Sequence, residues 1–216
     1  MAITLSTGTV VAIASTYGSA VNMTAITNAS QAVATLASGH SVVVGDFLEV
    51  TSGWDLLSGR IVRVSNVSTN DITFEGINTT STTLYPAGSG TGTIRRITAW
   101  TNVTQIRNIA PGGGEQNFVD VTTIVDRVQK QIPTTRSPQT LQLTVLDDPA
   151  LGWYSIVNTA ADTATPTAIR LIFPNASRLV ANGYWSLQTT PNVAANEPLT
   201  ANIDISFSAT PTRYST

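Results

Sequence analysis

The chain has one histidine, His40 in "ASGHSVV", so any chemistry that needs an imidazole must use it. A metal centre draws on several converging ligands, and a Ser-His-Asp triad would have to recruit this same residue. No G-x-S-x-G nucleophile elbow is present. His40 therefore reads as a loop residue beside Gly39. Glycosidic cleavage needs two facing carboxylates; thirteen acids are scattered along the chain without a local signature. The adjacent Asp147 and Asp148 read as helix capping. Cysteine is absent, which removes a disulfide framework, a thiolate metal site and a cysteine nucleophile. The run "PGGGE" resembles a phosphate loop only superficially, because no Lys-Ser/Thr follows and Glu115 would repel a phosphate. Trp54, Trp100, Trp153 and Trp185 could form a sugar platform, but packing is the stronger expectation. Asn-x-Ser/Thr sequons at Asn28, Asn66 and Asn175 follow from a Ser- and Thr-rich composition. No catalytic, cofactor-binding or metal-ligating residue is designated.

The elements are mainly strands, since alternation outweighs helical periodicity. Met1 to Ala14 predicts a strand pair broken near Gly8, and Ala25 to Ser41 predicts a polar connection of small residues. Ser41 to Asn78 predicts a compact β-meander with turns at Gly45-Asp46 and Ser68 to Asp71, placing Ile61, Val62 and Val64 opposite Ile72 and Phe74. This meander is either part of one domain spanning 1–216 or a subdomain inserted at 41–78. Leu84 to Gly92 predicts a loop leading to a strand that ends at Trp100. Ile109 to Asn117, with Gly112, Gly113 and Gly114, predicts a mobile surface loop. The branched residues of Phe118 to Pro133 favour strands, with a turn at Asp126-Arg127. One helix is predicted from Asp148 as N-cap and Pro149 as first helical residue, with Trp153, Ile156 and Val157 facing the core. Two strands flank a Pro174-Asn175 turn. The last strand alternates Leu199, Ala201, Ile203, Ile205, Phe207 and Ala209 with polar residues.

Composition narrows the function classes. Charged residues are 11% of the chain against 42% apolar, with a net charge of −2 and a pI near 5.2. The usual charged share is about 25%. A surface this neutral implies burial against other copies, with a secreted Thr-rich β protein as the alternative. Lys130 is the only lysine among eleven basic residues, which argues against a basic nucleic-acid groove. The other ten are arginines suited to bidentate carboxylate pairing. The first 45 residues hold no Asp, Glu, Lys or Arg. Neither a signal peptide nor a membrane-length apolar run is expected.

The order "VTTIVDRVQKQIP", "LQLTVL", "DDPALGWYSIVNTA", "RLIFPNASRLVANGYWSL" and "LTANIDISFSATP" resembles the C-terminal half of the major tail tube proteins of long, flexible-tailed (siphovirus-type) bacteriophages. The run "VGDFLEVTSGWDLLSGRIVRVSNVSTNDITFEGINTT" followed by "YPAGSGTGTIRRITAW" is similar to the N-terminal half of one tail tube subfamily. "FPNAS" departs from the pattern, with Ala176 where relatives tend to carry glycine, and this bears on the turn type. The resemblance implies a β-sandwich with one flanking helix, whose inner sheets join in hexameric rings that stack into a tube. It also implies virion localisation after synthesis in the host bacterial cytoplasm. The implied partners are other copies of the chain, the tape measure, tail terminator and tail tip proteins, and viral DNA in transit without specific binding. No membrane segment, cofactor or enzymatic activity is implied. Asp204 is then the expected lumen acid, and Gly112, Gly113 and Gly114, with the uncharged N-terminus, the expected ring-to-ring contacts. The competing readings are a carbohydrate-binding module using exposed Trp54 or Trp185, and a tail-tip or baseplate ring component sharing the fold.

Overall fold

Apolar residues alternate in short runs separated by turn residues, and the chain folds accordingly as strands. The computed structural model describes residues 6–215. The predicted strand pair over Met1 to Ala14 lies partly outside them; its described part enters β1 (Val10–Tyr17) through a turn at Gly8. There follow β2 (Val21–Ile26), β3 (Val33–Leu36), β4 (Phe47–Ser52), β5 (Ile61–Ser68), β6 (Asp71–Phe74) and the long β7 (Gly92–Val103). The second half comprises β8 (Ile106–Gly113), β9 (Gln116–Asp120), β10 (Gln131–Arg136), β11 (Gln139–Leu146), α1 (Gly152–Asp162), β12 (Thr167–Ile172), β13 (Arg178–Leu187), β14 (Thr200–Phe207) and β15 (Thr212–Tyr214).

Six of these strands close on themselves. They run in the order β2-β3-β6-β5-β4-β7, and β2 pairs again with β7 through Val21↔Ile94 and Met23↔Gly92. Closure leaves no free sheet edge in this small barrel. Its interior is a core of its own, with Met23, Leu48, Trp54, Val62, Phe74 and Ile94 buried. The stretch Ala25 to Ser41, expected as a connection, instead holds the end of β2 and all of β3. Ala32 and Ala34 are fully buried, and small side chains fill the tapered interior of a narrow barrel. Ser41 to Asn78 supplies β4, β5 and β6 as a meander. Val64 faces Phe74 as expected, but a bulge after Val64 sets Ile72 against Val67, while Ile61 and Val62 pair with β4.

β7 continues into a second sheet in the order β7-β1-β12-β13-β14-β11-β8, with β15 alongside β13. Alternate residues of β1, β11, β12, β13 and β14 point to one core, including Ile13, Leu143, Ile169, Trp185 and Ile203. Each such side chain contributes about 1.5–3 kcal/mol when fully buried. α1 covers this core with Trp153, Val157 and Ala160. The molecule is thus mainly β, a sandwich-like sheet with a single helix among the described residues. The helix begins at Gly152, with Leu151 at its N-cap, not at Asp148 as expected. Asp148 spends its carboxylate on an earlier turn, where it accepts the Ala150 N–H at 3.1 Å.

The barrel packs on the other face of the sheet through Phe47, Ile61, Ala168, Val180 and Tyr214. This explains why Phe47, Leu48, Glu49 and Val50 are buried without alternation: Leu48 and Val50 enter the barrel core while Phe47 and Glu49 face the sheet.

Candidate self-association surfaces

The residues singled out for chemistry are placed structurally. His40 bonds the Thr69 carbonyl through Nε2 at 3.0 Å and accepts the Val42 N–H at Nδ1 at 3.3 Å, so it pins two loops of the barrel together. Trp54, Trp153 and Trp185 are buried. Trp54 stacks edge-on against Tyr85 and donates to the Pro86 carbonyl, and Trp185 donates to the Thr167 carbonyl. The expectation of an exposed sugar platform at Trp54 or Trp185 is overturned, because both indoles complete hydrophobic cores.

The arginines divide between pairing and stacking. Arg63 grips Glu75 with two bonds of 2.5 Å and lies over the Tyr214 ring at 4.7 Å. Arg95 bonds Glu49, whose other oxygen accepts from Asn182 at 2.9 Å. Arg95 also covers the Tyr17 ring at 4.7 Å. Tyr17 and Tyr214 each accept a backbone N–H, from Ala168 and Arg63, and burial pushes both phenols up to about 12. These contacts fasten the barrel to the sheet. Arg170 has no carboxylate partner among the described residues and lies over Trp100 at 4.5 Å.

Three features remain that do not serve the chain's own fold. The first is the polar face of β13, β14, β11 and β8, opposite the core. One register row across it reads Ser186, Asp204, Gln142 and Ala110. Asp204 is exposed and accepts the Gln142 amide at 2.8 Å. In the next row Thr144 donates to Asn202, which donates to Gln188. Neither row contains a basic residue, and Asp204 is the one carboxylate in them.

The second is the outer edge of β8, which is paired only with β11 among the described residues. Here the structure changes the sequence reading. Ile109 to Gly113 is strand, not loop, with Gly112 opposite Thr140 and Gly113 opposite Gln139. A Cβ on Gly113 would sit 2.0 Å from the Pro138 carbonyl oxygen, and its φ is +67°. The glycine run therefore permits a close backbone approach at the strand's end; only Gly114 and Glu115 form the connection.

The third is the β9–β10 hairpin, a separate two-stranded sheet. Phe118, Ile124, Val125, Val128 and Ile132 are all exposed on it, Ile124 completely. The turn falls at Ile124-Val125, not at Asp126-Arg127. Asp126 holds the tip by pairing with Lys130 and accepting the Thr123 N–H. Asp120 is kept below the usual carboxylate range by the Thr122 hydroxyl and N–H and the Gln129 amide. Sequence reasoning took these branched residues for ordinary strands and missed their exposure. The only available signal was the crowding of Asp126, Arg127 and Lys130 among them.

Among the described residues, a mainly β chain that leaves a strand edge, an apolar arm and a polar face open has features of a structural protein. Comparison with protein families agrees: the model for phage tail tube protein, TTP, matches residues 52–216. The chain belongs to the phage tail tube protein family, a structural family of the virion tail. Comparison with curated proteins returns no match. Among the described residues no helix is long and apolar enough to cross a membrane.

Proposed function

We propose that this chain is the repeating subunit of a phage tail tube, that six copies close into a ring, and that rings stack into the conduit through which the genome leaves. The observation that carries the reading is the edge of β8, unpaired among the described residues, beside a polar face. An open edge is a template for a strand of another copy, and ring closure removes it. The face around Asp204 would then line the lumen. Phosphate is held by Lys and Arg, so a wall without them and with a carboxylate lets DNA slide. The exposed arm supplies a contact to a further copy, and the root at Gly112, Gly113 and Gly114 sets its direction. The subunit would be made in the host cytoplasm and meet tape measure, terminator and tip proteins at assembly, without catalysing a reaction.

Negative-stain electron microscopy of the purified protein at high concentration tests this. Rings or hollow tubes are expected. A strictly monomeric species, together with no abundant band of this mass in purified phage particles, overturns the reading.

A further inference from the structure

We infer that the apolar tip of the β9–β10 arm docks into a specific cleft of a second copy, at the mouth of its sheet between β8 and the β12–β13 turn. This rests on the tube-subunit reading and names the receptor within it. The cleft holds about 650 Å³ and is lined mainly by apolar groups, among them Ile109, Pro111, Leu141, Phe173 and Leu179.

Two observations select a second copy as occupant. The arm leaves the sheet at Gly114 and Gln139, beside Pro111 and Leu141 in the cleft wall. β9 advances about 3.3 Å per residue from Gln116 to Asp120, which carries its end roughly 13 Å from its start, with the tip at Ile124 beyond it. The tip cannot return to the cleft at its own root while the β9–β10 ladder is intact. Charge also matches. Arg213 in the cleft lies over Phe173 at 4.9 Å with the Ser177 hydroxyl at 3.5 Å, and it has no carboxylate partner among the described residues. Asp120 on the arm is bonded by Thr122 and Gln129 and, among the described residues, by no cation. Each copy thus offers one arm and one cleft on different surfaces. That is a head-to-tail contact, which propagates from copy to copy.

The cysteine-free chain allows a direct test. V125C and P111C are combined in one chain, assembled and oxidised. A ladder of disulfide-linked oligomers is expected on a non-reducing gel, with at least a tenfold lower yield when P111C is replaced by N66C on the barrel. Assembled tubes without the V125C–P111C link overturn the docking site and leave the tube reading standing. A link formed only within single chains also overturns it. So does a link from P111C to L5C of the same chain, which would place the chain's own first residues in the cleft. A chain that never self-associates overturns the tube reading and the docking site together.

Discussion

Ala176 holds φ +61°. It ends a three-residue turn begun by Pro174 and Asn175, in which Asn175 accepts the Ser177 N–H and hydroxyl. The last position of such a turn favours glycine, and an alanine there costs about 1–2 kcal/mol. The turn thus holds a strained alanine. A176G is expected to raise stability by about 0.5–1 kcal/mol, after glycine's greater unfolded-state entropy is subtracted; thermal melting checks this. The two buried phenols give an alkaline prediction. Their folded pKa of about 12 exceeds the ordinary value of 10, so their contribution is complete below pH 10 and is lost as pH rises through about 12. The loss is about 2–3 kcal/mol per tyrosine, measured by denaturant unfolding from pH 9 to 12. Y17F and Y214F should each flatten that slope. Each should also lower stability at pH 8 by about 1–2 kcal/mol, because the Ala168 or Arg63 N–H loses its acceptor. At this scale the sequence was legible where a residue has one plausible role, as with His40. It was silent on Tyr17 and Tyr214, whose partners lie more than 150 positions away.

Among the elements, the arm is separable in energy from the rest. Its ladder is only β9 with β10, and its apolar side chains touch solvent. Replacing residues 117–135 by a two-residue Asn-Gly turn is expected to change stability by less than about 1 kcal/mol. The same change should abolish self-association, read by sedimentation and electron microscopy. A truncated chain that still forms tubes would remove the arm from assembly. Strand periodicity made β5, β6, β11 and β14 legible, since buried and exposed positions alternate there. It failed for β3 and β8. In β3 small residues look like a connection until a closed barrel demands them. In β8 three glycines look like a loop until Pro138 is seen to approach them. Helix α1 was found but started too early, because Asp148 and Pro149 serve the preceding turn.

For the whole molecule the scarcity of charge becomes intelligible. Glu49, Glu75 and Asp46 are engaged with arginines inside the chain and are lost to the surface. Asp204 is exposed, so D204K is expected to change stability by about 0.5 kcal/mol or less and to leave tubes intact. If the face lines a lumen, rings of lysine would hold phosphate. Genome release followed by a DNA-binding dye should then slow, and added salt should relieve the delay. Unaltered release in low salt would move Asp204 away from the path of the DNA. The fold class was readable from alternation, whereas barrel closure was not: it depends on Val21 meeting Ile94, a pairing no local pattern encodes.

β7 is one uninterrupted strand of twelve residues. It is hydrogen-bonded to β2 and β4 over its first half and to β1 over its second. Covalent backbone therefore acts as a beam between the two halves of the subunit, braced at the joint by the Glu49–Asn182 bond. A tail that flexes must yield at the seams between neighbouring copies, since within a copy the beam resists bending.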